Sequence, residues 1–572
     1  MVELVIRNGT VVDGTGAPRF VADIAIDGGH VAEVGSGLAP GEREIDASGL
    51  LVTPGWVDIH THYDGQATWD STLAPSSWHG VTTVVMGNCG VGFAPVEPER
   101  RDWLIGLMEG VEDIPGSALA EGIDWQWETF PEFLDALETK HWTVDIGAQI
   151  AHGAVRAYVM GERGARNEPA TPDDIEAMKE VVRAAIEAGA LGFSTSRTIA
   201  HRAIDGEPVP GTFAAEDELF GIGSALGELD TGVFELAPAG SAGEDIIGLA
   251  KEVDWMRRLS AKIGRPVTFA LLQVDAAPDL WRELMATSLA AIDDGADLWP
   301  QVAGRATGLL SGHRTTYSLL DPIPAYRELK ATRSTDELVA ALRDPEVRAG
   351  ILEWEFDAQT AERMRAAYDR TFLLGDPPDY EPSAERSLTG MGAAAGRPPL
   401  EVAYDAMLAD GGQGLLYIPL LNYAGGSLEP IREMLLHPRA VSGLADGGAH
   451  CGAICDASMP TFMLTHWTRD RSRGERLPLE WVVMKQSRDT ARLYGLGDRG
   501  TIEAGMVADL NIIDYDRLRL VPPEVISDLP AGGTRLVQRS VGYVATIKSG
   551  VTTFSDGVDT GARPGALVRG AR

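Results

Sequence analysis

Cysteine is scarce in this chain. Only Cys89, Cys451 and Cys455 occur among 572 residues, an odd and sparse set that excludes a disulfide framework. Basic residues are also short, 49 Lys and Arg against 84 Asp and Glu, for a formal net charge of −35. Such a surface repels phosphate backbones and anionic bilayers, so neither nucleic acid nor a membrane is expected as a partner. No uncharged apolar run approaches the roughly 20 residues needed to span a bilayer. The opening "MVELVIRNGTVVDGTG" has neither a basic segment leading into an apolar one nor a small-residue cleavage site, so a cytoplasmic protein is expected.

What is present is a large apolar fraction, 44%, enough for an extensive core and more than one domain. The first fifty residues read as short strands with hairpin punctuation: Val2, Leu4 and Ile6 alternate, Asn8-Gly9 turns the chain, and Asp27-Gly28-Gly29 separates two further runs. A matching pattern returns in 508–516 and 543–554. The two ends are therefore expected to share one β-sandwich, from residues 1–53 and 491–572.

Between them the pattern becomes strand, helix, strand. In "TPDDIEAMKEVVRAAIEAGALGFSTS", Thr171 is placed to cap, Pro172 to open the helix, Ile175, Met178, Val181 and Val182 to form its apolar face, and Gly189 to end it before a strand. Eight strand candidates follow across 54–490: 56–62, 81–87, 144–150, 190–195, 232–237, 266–272, 296–302 and 441–446. Eight βα units predict a closed (β/α)8 barrel, that is, a TIM barrel of α/β class; a doubly wound open sheet has the same periodicity. The long gap between the seventh and eighth strands contains helical patterns and predicts an ordered insertion, about 305–400.

The first candidate strand ends in "DIHTH". Residues two apart on a strand share a face, so His60 and His62 both point to the barrel interior, at the end where barrel enzymes keep their sites. Neutral imidazole is the commonest metal ligand, although a lone His-x-His pair specifies little by itself. Other polar residues follow strand ends: His152 after the third, Arg197 and His201 after the fourth, and His450 after the eighth. Arg197 and His201 are candidates for substrate contact; His450 is either a site residue or a structural hydrogen-bonder. His79, ahead of the second strand, and the pair Cys451 and Cys455 read as structural.

Six stretches carry a resemblance: "LVTPGWVDIHTHYDGQ" (51–66), "HGVTTVVMGNCGVGFAP" (79–95), "GALGFSTS" (189–196), "DLWPQVAGRATGLL" (297–310), "GLADGGAH" (443–450) and "DRGTIEAGMVADLNIID" (498–514). Together they resemble the amidohydrolase superfamily and, within it, the N-acyl-D-amino acid deacylase group. The resemblance implies a (β/α)8 barrel with a β-sandwich from both termini and a divalent metal on His60 and His62. It also makes Asp446 a ligand and proton shuttle, Cys89 a further ligand, and His152 a group near the reacting carbonyl. The alternative for Cys89 is a small buried apolar residue.

Two departures matter. Where the deacylases have histidines after the fifth and sixth strands, this chain has Ala237 and Leu271. Neither binds zinc, so one zinc per chain, held by His60, His62, Asp446 and Cys89, is the expectation. Glu235, two residues before Ala237, either replaces a lost ligand or is a buried carboxylate with a raised pKa. The lysine and His-Pro-Arg stretch that hold the deacylase substrate's carboxylate are replaced by "ALLQV" and "HCGAICDAS". The expected reaction is hydrolysis of a C–N bond in a small-molecule amide or cyclic amide lacking a free α-carboxylate. N-acyl-D-amino acid deacylation is the alternative, and a metal-poor binding protein or non-hydrolytic enzyme on the same scaffold is a second. A homo-oligomer is a family-level expectation.

Overall fold

Eight parallel strands appear where the spacing puts them. In a computed structural model describing residues 1–570, they are Trp56–Asp58, Val81–Met86, Asp145–Ala151, Gly192–Ser196, Val233–Ala237, Val267–Ala270, Leu298–Val302 and Val441–Ser442, each hydrogen-bonded to its sequence neighbour. The periodicity left open whether this sheet closes. It does: Thr61 bridges in parallel to Gly447, the Asp446 N–H donates to the His60 carbonyl at 3.1 Å, and the His62 N–H donates to the Gly447 carbonyl at 2.7 Å. The first strand is shorter than its pattern, so both histidines lie just beyond its ladder, on the segment that makes the closure.

The helix over Pro172–Ala188 forms as its sequence dictates. Thr171 and Asp174 make a reciprocal capping box, and Gly189 ends it at φ 110°, a conformation glycine adopts freely. Met178, Val182, Ala185 and Ile186 are its buried face.

The termini build a single nine-stranded sheet, with Leu51–Pro54 from the N-terminal part antiparallel to Leu510–Ile513 from the C-terminal part. It folds back on itself rather than forming two separate ladders: the turn at Gly29 accepts a hydrogen bond from the Ala508 N–H at 2.9 Å. Ile6, Ile24, Ile26, Leu510, Ile512 and Ile547 fill the space enclosed. The last described residues do not belong to this sheet. Gly565 and Leu567 pair with Trp142 and Ile146 beside the third barrel strand.

Between the seventh and eighth barrel strands the chain makes a body with its own core, from Leu319 and Leu320 through Tyr326, Leu342, Tyr368 and Tyr404 to Leu416. A three-stranded antiparallel ribbon, Gly308–Ser311, Phe372–Leu373 and Leu416–Pro419, joins it to the barrel. Among the described residues no helix is long and apolar enough to cross a membrane.

Candidate metal centre

Four donor atoms converge at the barrel's closure. Cys89 Sγ lies 3.3 Å from His60 Nε2, and Asp446 Oδ1 lies 3.4 Å from His60 Nε2 and 3.8 Å from His62 Nε2. His60, His62 and Cys89 are all buried and form a group with metal-binding spacing. Zinc with nitrogen or oxygen ligands at about 2.1 Å and sulfur at about 2.3 Å has tetrahedral edges of about 3.3–3.6 Å between donors. The His60–Cys89 and His60–Asp446 separations match those edges, whereas the His62–Asp446 separation exceeds them and Asp446 falls outside the group that closes within 4.8 Å, so His60, His62 and Cys89 are the residues that fit a divalent ion.

Backbone geometry aims these donors. Cys89 and Asp446 sit at φ 54° and 48°, a region where L residues rarely rest. Asn88 pins the Cys89 turn to the histidine segment, its Nδ2 donating to the carbonyls of Thr61 (3.0 Å) and Val85 (2.9 Å). Gly90 must be glycine: at φ 69°, a Cβ there would stand 2.6 Å from the Ser196 backbone nitrogen.

The charges around the donors are set by burial. Burial pushes His60 down to about 4 despite Asp446, leaving a neutral imidazole whose Nδ1–H faces Gln301 Oε1 at 2.9 Å and whose Nε2 faces the other donors. For His62 burial pulls down, but Glu112 and Asp446 prevail and raise it to about 9. Burial works to raise Asp446, yet His62, His60 and His450 outweigh it and hold the carboxyl below its usual range. Burial, with Glu235 adding to it, keeps the Cys89 thiol well above its ordinary value, so a thiolate there calls for a cation beside it.

Glu235 lies behind the ligands. Its Oε2 accepts the Cys89 N–H at 3.0 Å, and its Oε1, 3.8 Å from His60 Nδ1, faces the back of that ring and has no hydrogen bond. Burial raises it to about 8. Of the two readings, this geometry is that of the buried carboxyl. Ala237 and Leu271, both buried, offer no donor.

Two expected residues need correction. His152 is fully buried with both ring nitrogens engaged, Nδ1 to Thr195 Oγ1 at 2.8 Å and Nε2 to Glu218 Oε1 at 2.9 Å; it has no nitrogen left for a reacting carbonyl. Arg197 is likewise spent, on both oxygens of Glu252 and on the Ala214 carbonyl, so it fastens a loop rather than meeting substrate. His201 does stay near the donors: its Nδ1 lies 3.0 Å from Ser196 Oγ. Burial, with His450 and His62 close by, pushes it down to about 3. His450 is partly exposed, with Nε2 3.8 Å from Glu112 Oε2. His79 is buried against Thr461 and the Gln538 carbonyl, and Cys451 and Cys455 are free and buried, as expected of structural groups.

Gln301 and Glu112 carry no local sequence signal. Gln301 sits in an apolar strand pattern and Glu112 closes the helix Arg101–Glu112; their importance lies in contacts with residues far away in the chain.

A closed βα barrel carrying a histidine, cysteine and aspartate donor set at its mouth defines a metal-dependent hydrolase. The model of the Amidohydrolase family matches residues 43–554, and this chain belongs to that family. It is a hydrolase acting on carbon–nitrogen bonds other than peptide bonds. A D-aminoacylase of Alcaligenes xylosoxydans xylosoxydans is 25% identical over 99% of this chain and 97% of its own. An N-acyl-D-glutamate deacylase of the same organism is 32% identical over 40% of this chain and 43% of its own. Among solved structures, a D-aminoacylase studied for its binuclear metal centre superposes with a TM-score of 0.66 at 21% identity, covering 100% of both chains. The N-acyl-D-glutamate deacylase of Bordetella bronchiseptica, complexed with zinc and a phosphonate inhibitor, gives 0.64 at 22% over 99% of both. Those two likenesses concern the fold.

Proposed function

We propose that this protein hydrolyses the C–N bond of an amide or cyclic amide that lacks a free α-carboxylate, with a single zinc held by His60, His62, Cys89 and Asp446. The mutual approach of His60, His62 and Cys89 within 4.8 Å, with Asp446 Oδ1 3.4 Å from His60 Nε2, carries the reading. A divalent ion in such a site lowers the pKa of a water to about 7 and polarises a carbonyl oxygen. Asp446, kept anionic by the surrounding imidazoles, takes the proton from the attacking water at a carboxylate oxygen and returns it to the departing nitrogen. His201, neutral and with Nδ1 held by Ser196, is the substrate contact in this reading.

The arginines that follow the barrel strands are committed elsewhere, which disfavours a carboxylate-bearing substrate. Arg197, after the fourth strand, is bound to Glu252. Arg305, after the seventh, is buried against Asp456 at 3.0 Å, with its guanidinium 3.9 Å from the centre of the Tyr380 ring. Neither offers the two-pronged clamp that a free carboxylate asks for. N-acyl-D-amino acid deacylation remains a second reading because the D-aminoacylase relative matches nearly end to end. Incubation with hydantoins and cyclic imides, and separately with N-acetyl-D-amino acids, each with and without added zinc, decides between them. Turnover of the cyclic amides alone is the expected outcome; turnover of the acyl amino acids alone reverses the order.

A further inference from the structure

A buried acid, Glu112, lies beside the donors. Glu112 is the last residue of the helix Arg101–Glu112, and its side chain is 2% exposed. The side chain is taken out of water at the C-terminal end of that helix. No lysine or arginine among the described residues pairs with it. What faces it is imidazole, with Oε1 3.2 Å from His62 Nδ1 and Oε2 3.8 Å from His450 Nε2. His62 Nδ1 makes no hydrogen bond in this geometry, and Glu112 Oε1 at 3.2 Å is the acceptor that faces it.

The helix end is also fastened in place. The Glu112 carbonyl accepts the His450 N–H, and the next residue, Asp113, accepts the Gly452 N–H at 3.0 Å and the Thr316 hydroxyl at 3.2 Å. One helix terminus thus touches the histidine segment, the loop after the eighth strand and the insertion. The two histidine ligands are backed differently, His60 by the neutral amide of Gln301 at 2.9 Å and His62 by a carboxylate.

We infer that Glu112 is a positioning residue for the metal: as the acceptor facing His62 Nδ1–H when the metal is bound, it fixes that ring's tautomer and direction and makes Nε2 the more basic donor of the pair. The inference rests on the reading of His62 as a ligand. The test uses the full-length protein, stripped of metal and titrated with zinc against a chromophoric chelator, then with cobalt(II) while the absorption of the Cys89 thiolate–cobalt bond is followed. Glu112→Leu is expected to weaken zinc binding by about 10- to 100-fold, and Glu112→Gln by a smaller factor, with the thiolate–cobalt band still reached at saturation. If Glu112 only holds the helix, both variants melt earlier but bind zinc within about twofold of wild type, and the inference is overturned. Should Glu112→Leu not fold, Glu112→Gln decides by the same criterion. A His62→Ala control that binds zinc as wild type removes His62 from the ligand set, and both readings fall together.

Discussion

Cys89 and Asp446 share a backbone conformation that costs of order 1 kcal/mol or more for an L residue, and Leu444 and His450 nearby share it too. Strain gathered around convergent donors marks a place where side-chain direction outweighs local stability. It also sets the cleanest substitution. Asparagine tolerates the left-handed region as aspartate does, so Asp446→Asn is expected to fold and keep its metal. Without a group to carry the proton, kcat should fall by at least about 100-fold. Metal content and steady-state kinetics on one preparation check this; substantial residual turnover would remove Asp446 from the proton-transfer role.

The element that most changed its meaning is the helix His152–Met160, which starts immediately after the third strand. Position in sequence put His152 at the barrel mouth, but the first helical residue can turn its ring away from the axis, and here the ring joins a buried cluster with Thr195, Glu218 and Arg156. Burial works to raise Glu218, yet His152 and Arg156 outweigh it and bring it to about 2, from an ordinary value near 4.5. A carboxyl lowered by folding contributes stability that is present above its unfolded pKa and lost as pH falls through the folded one. Urea denaturation of the wild type between about pH 4.5 and 2 should therefore show stability falling with acid, and Glu218→Gln should be less stable near neutrality and flatter across that window. Equal slopes for the two proteins would show that this cluster is not coupled to folding.

Across the whole molecule, the terminal sheet is joined to the barrel by charge as well as by apolar packing. Asp145, at the start of the third barrel strand, takes Lys548 of the sheet at 3.0 Å and Arg499 at 2.6 Å, while Lys548 also reaches Asp509 at 3.0 Å. All are buried. Removing one partner of a buried ion group leaves an uncompensated charge, at a cost of about 3–5 kcal/mol. Lys548→Met should lower unfolding stability by that order with catalytic constants of the remaining folded protein unchanged, because the group lies at the opposite end of the third strand from the metal donors. A loss of kcat at full folding would show that the sheet shapes the site.

The sequence alone determined what repeats locally. Strand and helix periods are written into consecutive residues, which is why eight βα units and the shared face of His60 and His62 could be read directly. Closure of the barrel was not written there, since an open sheet has the same periods; it is made by Thr61 meeting Gly447 across about two-thirds of the chain. The directions of His152 and Arg197 were equally unreadable, because a side chain beyond a strand end turns toward whichever partner the packed neighbours provide. Glu112 and Gln301 were invisible for the same reason. Each gains its role only when the tertiary fold brings its carboxylate or amide against the back of a histidine ring, in surroundings dry enough that an unpaired imidazole nitrogen would be costly.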